Sequence, residues 1–578
     1  MRSKTFILVV VLALVAVAAA RQDKLAPELR TASNGNNVNV IVRYKVVPGE
    51  QHLRKLSDHQ GQVTKDLSSL KDLAVTLPAS QVDDLSNDDD IAYIAPDRPV
   101  AGFLDTPAPA VLANYAWNEG LDGSNIAVAV IDSGIRGSGK LTFKELTTWN
   151  TSTSRIVYAQ SWISDGWGTA DHFGHGTHVA GLIGGNGFYS TGTQYTETFK
   201  GIAPNVNLVN LRVLDQNGVG TDSNVIAAIQ AAISLKSKYN IRVINLSLGR
   251  PVFESYTLDP LCQAVEAAYQ AGIVVVVAAG NDGRDNSAGT NGYATINAPA
   301  NDPYAITVGA MKMMGTPDRT DDLIATYSSK GPTLVDHIAK PDLVAPGNQL
   351  VSLLSLGAML GSSFTSNDVP LSAYETGNTY GFPSTTYYVM SGTSMAAPVV
   401  SGAVALLLEA NPQMTPDQVK ARLMKTAYKT FPQYSSYTDP TTGITYTDQY
   451  DVFTVGAGYL DIQAALTSTD LSAGLAKSPV VQYDPTTQSV YFVNDSFAVW
   501  GSSSIWSSFA VWGSNAFVNG NFAVWGSSNP YASFAVWGSS EPWGNNTNNA
   551  FFAVWGSSTV TASPSTAGSI GTLINGDN

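Results

Sequence analysis

Between Ile126 and Ile131 the chain reads Ile-Ala-Val-Ala-Val-Ile and then meets Asp132. A strand with no polar residue on either face has to be covered on both, which is the situation of a central strand in a parallel sheet. Alternating segments between residues 120 and 430 continue as βα units. The expected fold class is therefore α/β, a doubly wound parallel sheet with helices on both faces. In open sheets of this kind the carboxyl ends of the strands border the active crevice, and Asp132 stands at such an end. Taken alone, Asp132 is the carboxylate of a turn or a helix cap. The stretch Asp171-His172-Phe173-Gly174-His175-Gly176-Thr177-His178 changes that reading, because three of the six histidines of the chain gather there at a loop-to-helix transition.

A third stretch, Tyr388 to Pro398, centres on Ser394 and is crowded with small residues. A serine hydroxyl is a poor nucleophile at neutral pH and needs a base, a carboxylate behind the base and donors for an oxyanion. Val399 to Leu408 is almost wholly apolar, so a buried helix is expected with Ser394 at its N-terminus, where the helix field favours developing negative charge. Pro398 is expected in about the first turn, where a missing N–H is tolerated.

Composition excludes several other classes. Charged residues make up 13% of the 578 and hydrophobic ones 44%, enough to build a large core over two or more domains. The net charge of −14, with no Lys/Arg-rich stripe, argues against a nucleic-acid partner. The single cysteine, Cys262, rules out an intramolecular disulfide framework and reads as a small buried side chain in the helical run Leu261 to Ala271. His175 and His178 are spaced to share a helix face with a metal, but His-Glu-x-x-His is absent and no matching ligand pair follows, so a zinc site is disfavoured.

Three motifs in the order Val130-Ile131-Asp132-Ser133-Gly134, His175-Gly176-Thr177-His178-Val179-Ala180-Gly181 and Gly392-Thr393-Ser394-Met395-Ala396-Ala397-Pro398 make the chain resemble the subtilisin-like serine proteases over roughly residues 107–465. The resemblance implies that Asp132 orients an imidazole, His175 acts as base and then acid, and Ser394 is the nucleophile, leaving His178 structural. Val274 to Asn281 resembles the family strand that ends in an oxyanion donor, here Asn281, which would act with the Ser394 N–H. Ser247, Leu248 and Gly249 resemble one edge of the substrate groove, and Gly218 and Gly220 the opposing edge. Ala279 and Gly280 are expected to line the same site. An extended peptide would add a strand between these edges. No cofactor is implied for catalysis. Family members often bind structural calcium through surface-loop carboxylates and carbonyls, but no ligand set can be named here. The chain departs from the family after Ile135, where Arg136, Gly137, Ser138 and Gly139 replace a His-Pro-Asp-Leu-like stretch and leave the loop geometry open.

Ahead of this core, Arg2 and Lys4 precede an apolar run from Phe6 to Val17 and then Ala18-Ala19-Ala20, the pattern of a secretory signal cut near Ala20, with an uncleaved anchor as the alternative. A secreted, extracellular or cell-surface location follows from that reading. Val38 to Val46, Leu73 to Leu77 and Ile91 to Ala95 read as strands, Glu50 to Leu70 as mainly helical and Ser80 to Leu85 as a short helix. This order suggests a small ferredoxin-like α+β unit. Its position marks it as a pro-segment, and it resembles the inhibitory propeptides of secreted subtilisin-like enzymes, with processing near residues 97–106.

After strands at Val480 to Tyr483 and Val490 to Val493, the pentapeptide Phe-Ala-Val-Trp-Gly recurs five times, beginning at Phe497, Phe509, Phe522, Phe534 and Phe552. No Lys or Arg follows Lys477. As a strand each pentapeptide has no polar face, so the array must stack, bind another surface or remain an unfolded extension. The expected division is a signal at 1–20, a propeptide at 21–103, a catalytic domain at 104–470, a hairpin linker at 471–496 and a repeat tail at 497–578. The tail is expected to attach or self-associate and to be dispensable for hydrolysis, so that a chain cut after Asp495 stays active. The function expected is secreted serine endopeptidase made as a self-processed zymogen, acting on protein substrates with its propeptide as intramolecular inhibitor. An adhesive protein on a protease-derived scaffold and an ester-specific serine hydrolase are the alternatives.

Overall fold

The computed structural model describes residues 24–26, 29, 37–96, 107–137, 143–378, 380–440, 442–472, 474–484, 489–492, 517–518, 521–522 and 566–577. The signal reading at 1–20, the processing region at 97–106 and nearly all of the pentapeptide array lie outside these residues. The chain divides into two compact units, Met1–Gly102 and Phe103–Asn578.

The first unit runs β1 (Asn37–Tyr44), α1 (Glu50–Asp58), β2 (Gln62–Leu67), β3 (Asp72–Pro78), α2 (Val82–Leu85) and β4 (Ile91–Pro96). Its sheet has the order β2-β3-β1-β4, with every pairing antiparallel, so that each βαβ is split by a strand from elsewhere. Alternate residues of β1, Val40, Val42 and Tyr44, face a core completed by Leu56, Val75, Leu77 and Ile94. The helical expectation for Glu50 to Leu70 is corrected here. The helix stops at Asp58, Gln60 takes the left-handed conformation, and Gln62–Leu67 pairs with β3 instead. The break is local: a side chain at Gly61 would meet the Leu56 carbonyl at 2.9 Å.

In the second unit a mainly parallel sheet is built from β5 (Ala127–Asp132), β6 (Ile156–Ser161), β7 (Asn207–Arg212), β8 (Ile241–Leu246), β9 (Val274–Ala278), β10 (Ile306–Lys312) and β12 (Leu343–Pro346), with the two-residue β11 (Leu323–Ile324) antiparallel at one edge. The order is β11-β10-β9-β8-β5-β7-β6, with β12 also on β10. The chain leaves β5 towards one side of the sheet, then crosses to β8 on the other side of β5, which opens a crevice at the strands' carboxyl ends.

The helices that matter here are α3 (His175–Gly184), α4 (Asp222–Tyr239), α5 (Pro260–Gln270) and α6 (Thr393–Ala410). Strand β5 shows how they are placed. Val128 and Val130 face the core that contains Val179 and Ile183 of α3 and Val400 and Val404 of α6. Ala127, Ala129 and Ile131 face the other core, with Val225 and Ile229 of α4 and Val265 of α5. Each fully buried Val, Ile or Leu contributes about 1.5–3 kcal/mol, so α6, buried along almost its whole length, is the main clamp on the sheet. Among the described residues it is also the only helix long and apolar enough to cross a bilayer, and its apolar surface is spent inside the core.

A second layer of strands, β13 (Leu350–Leu353), β14 (Asp368–Pro370) and β15 (Pro383–Met390), delivers the chain to α6. Two hairpins follow it, β16 (Tyr434–Thr438) with β17 (Thr445–Gln449) and β18 (Val481–Asp484) with β19 (Ser489–Phe492). Phe517–Val518 and Asn521–Phe522, β20 and β21, pair within the repeats. The packing of this unit runs past the expected boundary at residue 470, since Ala476 and Val481 belong to its core. It also takes in α7 (Thr566–Asn575), a helix within the span assigned to the repeat tail, through Leu573 and Ile574.

Candidate active site

Asp132 is the last residue of β5 and His175 the first of α3. Both are buried, and His175 Nδ1 lies 2.8 Å from Asp132 Oδ1 and 3.0 Å from Oδ2. A carboxylate on Nδ1 makes that nitrogen the N–H and leaves Nε2 as the basic lone pair. The close approach depends on Gly176: a Cβ there would stand 2.3 Å from the Gly134 carbonyl and 3.1 Å from Asp132 Oδ1. Burial works against a charged His175, but the attraction of Asp132, their hydrogen bond and the charge of Asp171 outweigh it, and the imidazole pKa is raised.

The turn that carries this pair is held by Asp171, which no motif reading had assigned a task. Its buried carboxylate accepts from Ser133 Oγ at 2.9 Å and from the N–H groups of Gly174 at 2.7 Å and Thr177 at 2.8 Å. Asp171 thus caps the start of α3 and ties it to the residue after Asp132. An acidic residue just ahead of a helix start was the available signal.

Ser394 is the second residue of α6, following Gly392 at the N-cap. Its hydroxyl donates to the Ser247 carbonyl at 3.1 Å, and the Ser247 hydroxyl donates back to the Ser394 carbonyl at 2.8 Å. Among the described residues no hydrogen bond joins Ser394 to His175. The reciprocal pair has a cause in the sequence. Pro398 is not in the first turn as expected but at the sixth position of the helix, where its N–H would have bonded the Ser394 carbonyl. Proline has no N–H, so that carbonyl is open to Ser247. Ser247 is in turn steadied by Asn245 Nδ2 at 3.0 Å, and Asn245 by Ser401 of α6 at 2.8 Å.

Asn281 stands three residues beyond β9. Its Oδ1 accepts from the Thr393 N–H at 2.9 Å and the Thr393 hydroxyl at 3.1 Å. That fixes the amide orientation, so Nδ2 is turned away from Thr393, and it lies 3.3 Å from the position a Cβ on Gly392 would take. The Thr393 hydroxyl also meets the backbone of Gly280, accepting from its N–H at 3.1 Å and facing its carbonyl at 3.2 Å. Ala279 is buried beneath this turn and Gly280 half-buried in it. An amide donor, a helix N-terminus and a serine hydroxyl so arranged can hold a negative oxygen beside a carbon under attack.

The subtilase family profile matches residues 123–458, more than half of the chain. The chain belongs to the subtilase family. Among its relatives, serine protease AprX of Bacillus subtilis (strain 168) is 35% identical over 350 residues, 59% of this chain and 70% of AprX. Subtilisin DY of Bacillus licheniformis is 31% identical over 357 residues, 62% of this chain and 96% of that protein. Subtilisin E of Bacillus subtilis (strain 168) is 31% identical over 389 residues, 64% and 79% of the two chains. The protein is a serine-type endopeptidase of this family, whose chemistry needs no catalytic cofactor.

Leu248 is half-buried, and Gly249, Val219 and Gly220 are exposed. Gly218 packs on Phe173, whose ring lies 6.2 Å from that of His175, so the 218–220 edge and the imidazole share a wall. His178 is fully buried, and its Nε2 faces the carbonyls of Leu350 and Tyr388, each at 3.1 Å. Burial first, and repulsion from His175 second, bring its pKa down to about 3, so it stays neutral and bridges α3 to the β13–β15 layer. Cys262 is buried with its Sγ 3.3 Å from Asn301 Oδ1, and burial pushes its pKa up. Arg136, where the sequence departs from the family, reaches the carbonyls of Leu354 and Thr385 and lies over the Phe143 ring at 4.2 Å. It therefore braces the loop after Asp132. Among the described residues no group of three His, Cys, Asp or Glu side chains is close enough to hold a metal ion.

Proposed function

We propose that this subtilase is an exported endopeptidase, made as a self-processed precursor, in which Asp132, His175 and Ser394 form the catalytic triad and Asn281 is the oxyanion donor. The observation that carries the assignment is the fixed Asn281 amide beside the N-terminus of α6, at the same carboxyl end of the sheet as the buried Asp132–His175 pair. In the reaction, His175 Nε2 takes the Ser394 proton as Oγ bonds to the scissile carbonyl carbon. The carbonyl oxygen becomes an anion between Asn281 Nδ2 and the Ser394 N–H. The imidazolium, steadied by Asp132, then protonates the departing amine. Water repeats the cycle on the acyl-enzyme and releases the acid. Because Ser394 Oγ rests on the Ser247 carbonyl, a rotation about its Cα–Cβ bond precedes attack.

Protein substrates are read as extended chains between Ser247, Leu248 and Gly249 on one side and Gly218 and Gly220 on the other. Export rests on the N-terminal signal pattern. It is supported by a relative named extracellular serine proteinase, from Thermus sp. (strain Rt41A), 33% identical over 393 residues, 65% of this chain and 75% of that protein. The unit Met1–Gly102 is the intramolecular inhibitor in this reading, and the repeats attach the enzyme to a surface or to one another.

Intact masses of the exported wild type and of Ser394→Ala, each made in a protease-deficient host, test the proposal. The expected result is a wild type that has lost the first unit and a variant that retains it. Identical masses sink self-processing, and absence of hydrolysis on extended peptides sinks the endopeptidase roles assigned to these residues.

A further inference from the structure

The segment after the repeats lies beyond the residues 123–458 that the family profile matches, yet it is held in the core. Leu573 and Ile574 of α7 are buried in the main core. The Leu573 carbonyl accepts from the Ser391 N–H at 2.9 Å and the Ile574 carbonyl from Asn367 Nδ2 at 2.7 Å. Gly576 is left-handed, and a Cβ on it would strike Ser391 Oγ at 2.3 Å and Asn348 Oδ1 at 2.4 Å. Asp577 is 1% exposed. Its carboxylate accepts from Arg284 at 2.5 Å, the Thr326 N–H at 2.8 Å and the Thr326 hydroxyl at 3.0 Å. Its backbone exchanges two bonds with the Asn348 amide, at 2.8 and 3.2 Å.

Arg284 is held by other partners as well, pairing with Asp439 at 3.2 Å and lying over the Tyr446 ring at 4.8 Å. A buried carboxylate met by three donors, a backbone read by an amide in both directions and a place open only to glycine are the marks of a recognition site for a peptide. Two of its walls are near the proposed catalytic residues in the sequence: Ser391 is three residues before Ser394, and Arg284 three after Asn281.

We infer that the slot formed by Arg284, Thr326, Asn348 and Ser391 is a receptor for a short peptide of two apolar residues, one intervening residue and then Gly-Asp, filled in cis by Leu573-Ile574-Asn575-Gly576-Asp577. The core therefore holds described residues on both sides of the pentapeptide array in the sequence, Val481 before it and Leu573–Asp577 after it. This assignment does not depend on the hydrolytic reading.

The test uses the full chain carrying Ser394→Ala, to prevent self-digestion, with the recognition sequence of a site-specific protease inserted between Ala562 and Ser563. The released fragment contains no pentapeptide, so retention cannot come from the repeats. After cutting, the fragment should co-elute with the body in gel filtration and native mass spectrometry. An excess of synthetic peptide 566–578 should displace it. The same peptide with Asp577→Asn should displace it at least tenfold less well, and that arm needs no variant chain to fold. A fragment that separates from the body on cutting, or equal displacement by the two peptides, overturns the inference.

Discussion

The Asn281 amide owes its aim to one neighbour. Thr393 holds Oδ1 through both its N–H and its hydroxyl, so Nδ2 is the only part of the side chain left for a substrate oxygen. Asn281→Ala should lower kcat by about 10²–10³ with little change in KM, a size known for this donor in the subtilase family and not obtained from this geometry. Thr393→Val keeps the shape and the N–H but removes the hydroxyl. Loss of the hydroxyl's bond to Asn281, about 1–1.5 kcal/mol, should reduce kcat roughly tenfold in steady-state kinetics on a peptide substrate, while the contacts with Gly280 lost with it should show as lower stability in urea unfolding. The pH profile belongs to the same scale. His175 acts as a base only when neutral, and its pKa is raised in the fold chiefly because Asp132 outweighs burial. Activity should therefore fall on the acid side with an apparent pKa above the ordinary histidine value of about 6.5. In Asp132→Asn the attraction is gone and burial remains, so the acid limb should move to lower pH as the rate collapses. The stability that this pair adds has the matching sign: it is present in full below about pH 6.5 and lost as pH rises through the folded-state value.

Whole elements set how closely these side chains meet. Helix α3 sits over the end of β5 because Gly176 has no Cβ, and the atom it would strike is a backbone carbonyl that cannot step aside. Gly176→Ala should push the helix off Asp132 and lower kcat by at least 10²-fold, while overpacking costs about 1–3 kcal/mol of stability. Urea unfolding and kinetics on the same sample separate the two effects. Helix α6 shows the limit of reading such elements from sequence. Its apolar run and its serine start were legible, but Pro398 was placed a turn too early, and with it went the reason that the Ser394 carbonyl is bonded by Ser247. In the first unit the helix over Glu50–Asp58 was legible, whereas β2 was hidden, because Gln62–Leu67 owes its strand to pairing with β3 rather than to its own composition.

For the molecule as a whole, the post-repeat segment separates two truncations that look alike in sequence. Replacing residues 497–565 by a Gly/Ser linker of equal length keeps Leu573–Asp577 and should leave peptide hydrolysis unchanged. Ending the chain after Asp495 exposes the faces that Leu573 and Ile574 cover and leaves Arg284 without Asp577. At about 1.5–3 kcal/mol for each buried apolar side chain, the shorter form should lose at least ~3 kcal/mol, measured by urea unfolding of the two Ser394→Ala proteins. Equal stability would show that the segment adds nothing to the fold.

The sequence by itself determined the features written within a few residues of one another. These are the apolar run that makes β5 a central strand, the residues at its end and at the starts of α3 and α6, and the repeat array. Such features are local because strand burial, helix starts and glycine turns are settled by neighbours in the chain. Tertiary structure alone decided what depends on residues far apart: Asp171 tying Ser133 to α3, Thr393 aiming Asn281, and Arg284, Thr326 and Asn348 closing on Asp577. None of these carries a periodicity or a spacing, since each is a polar group whose partner is fixed by where the sheet order brings it. A buried charge or amide must be paired, and only the folded chain says with what.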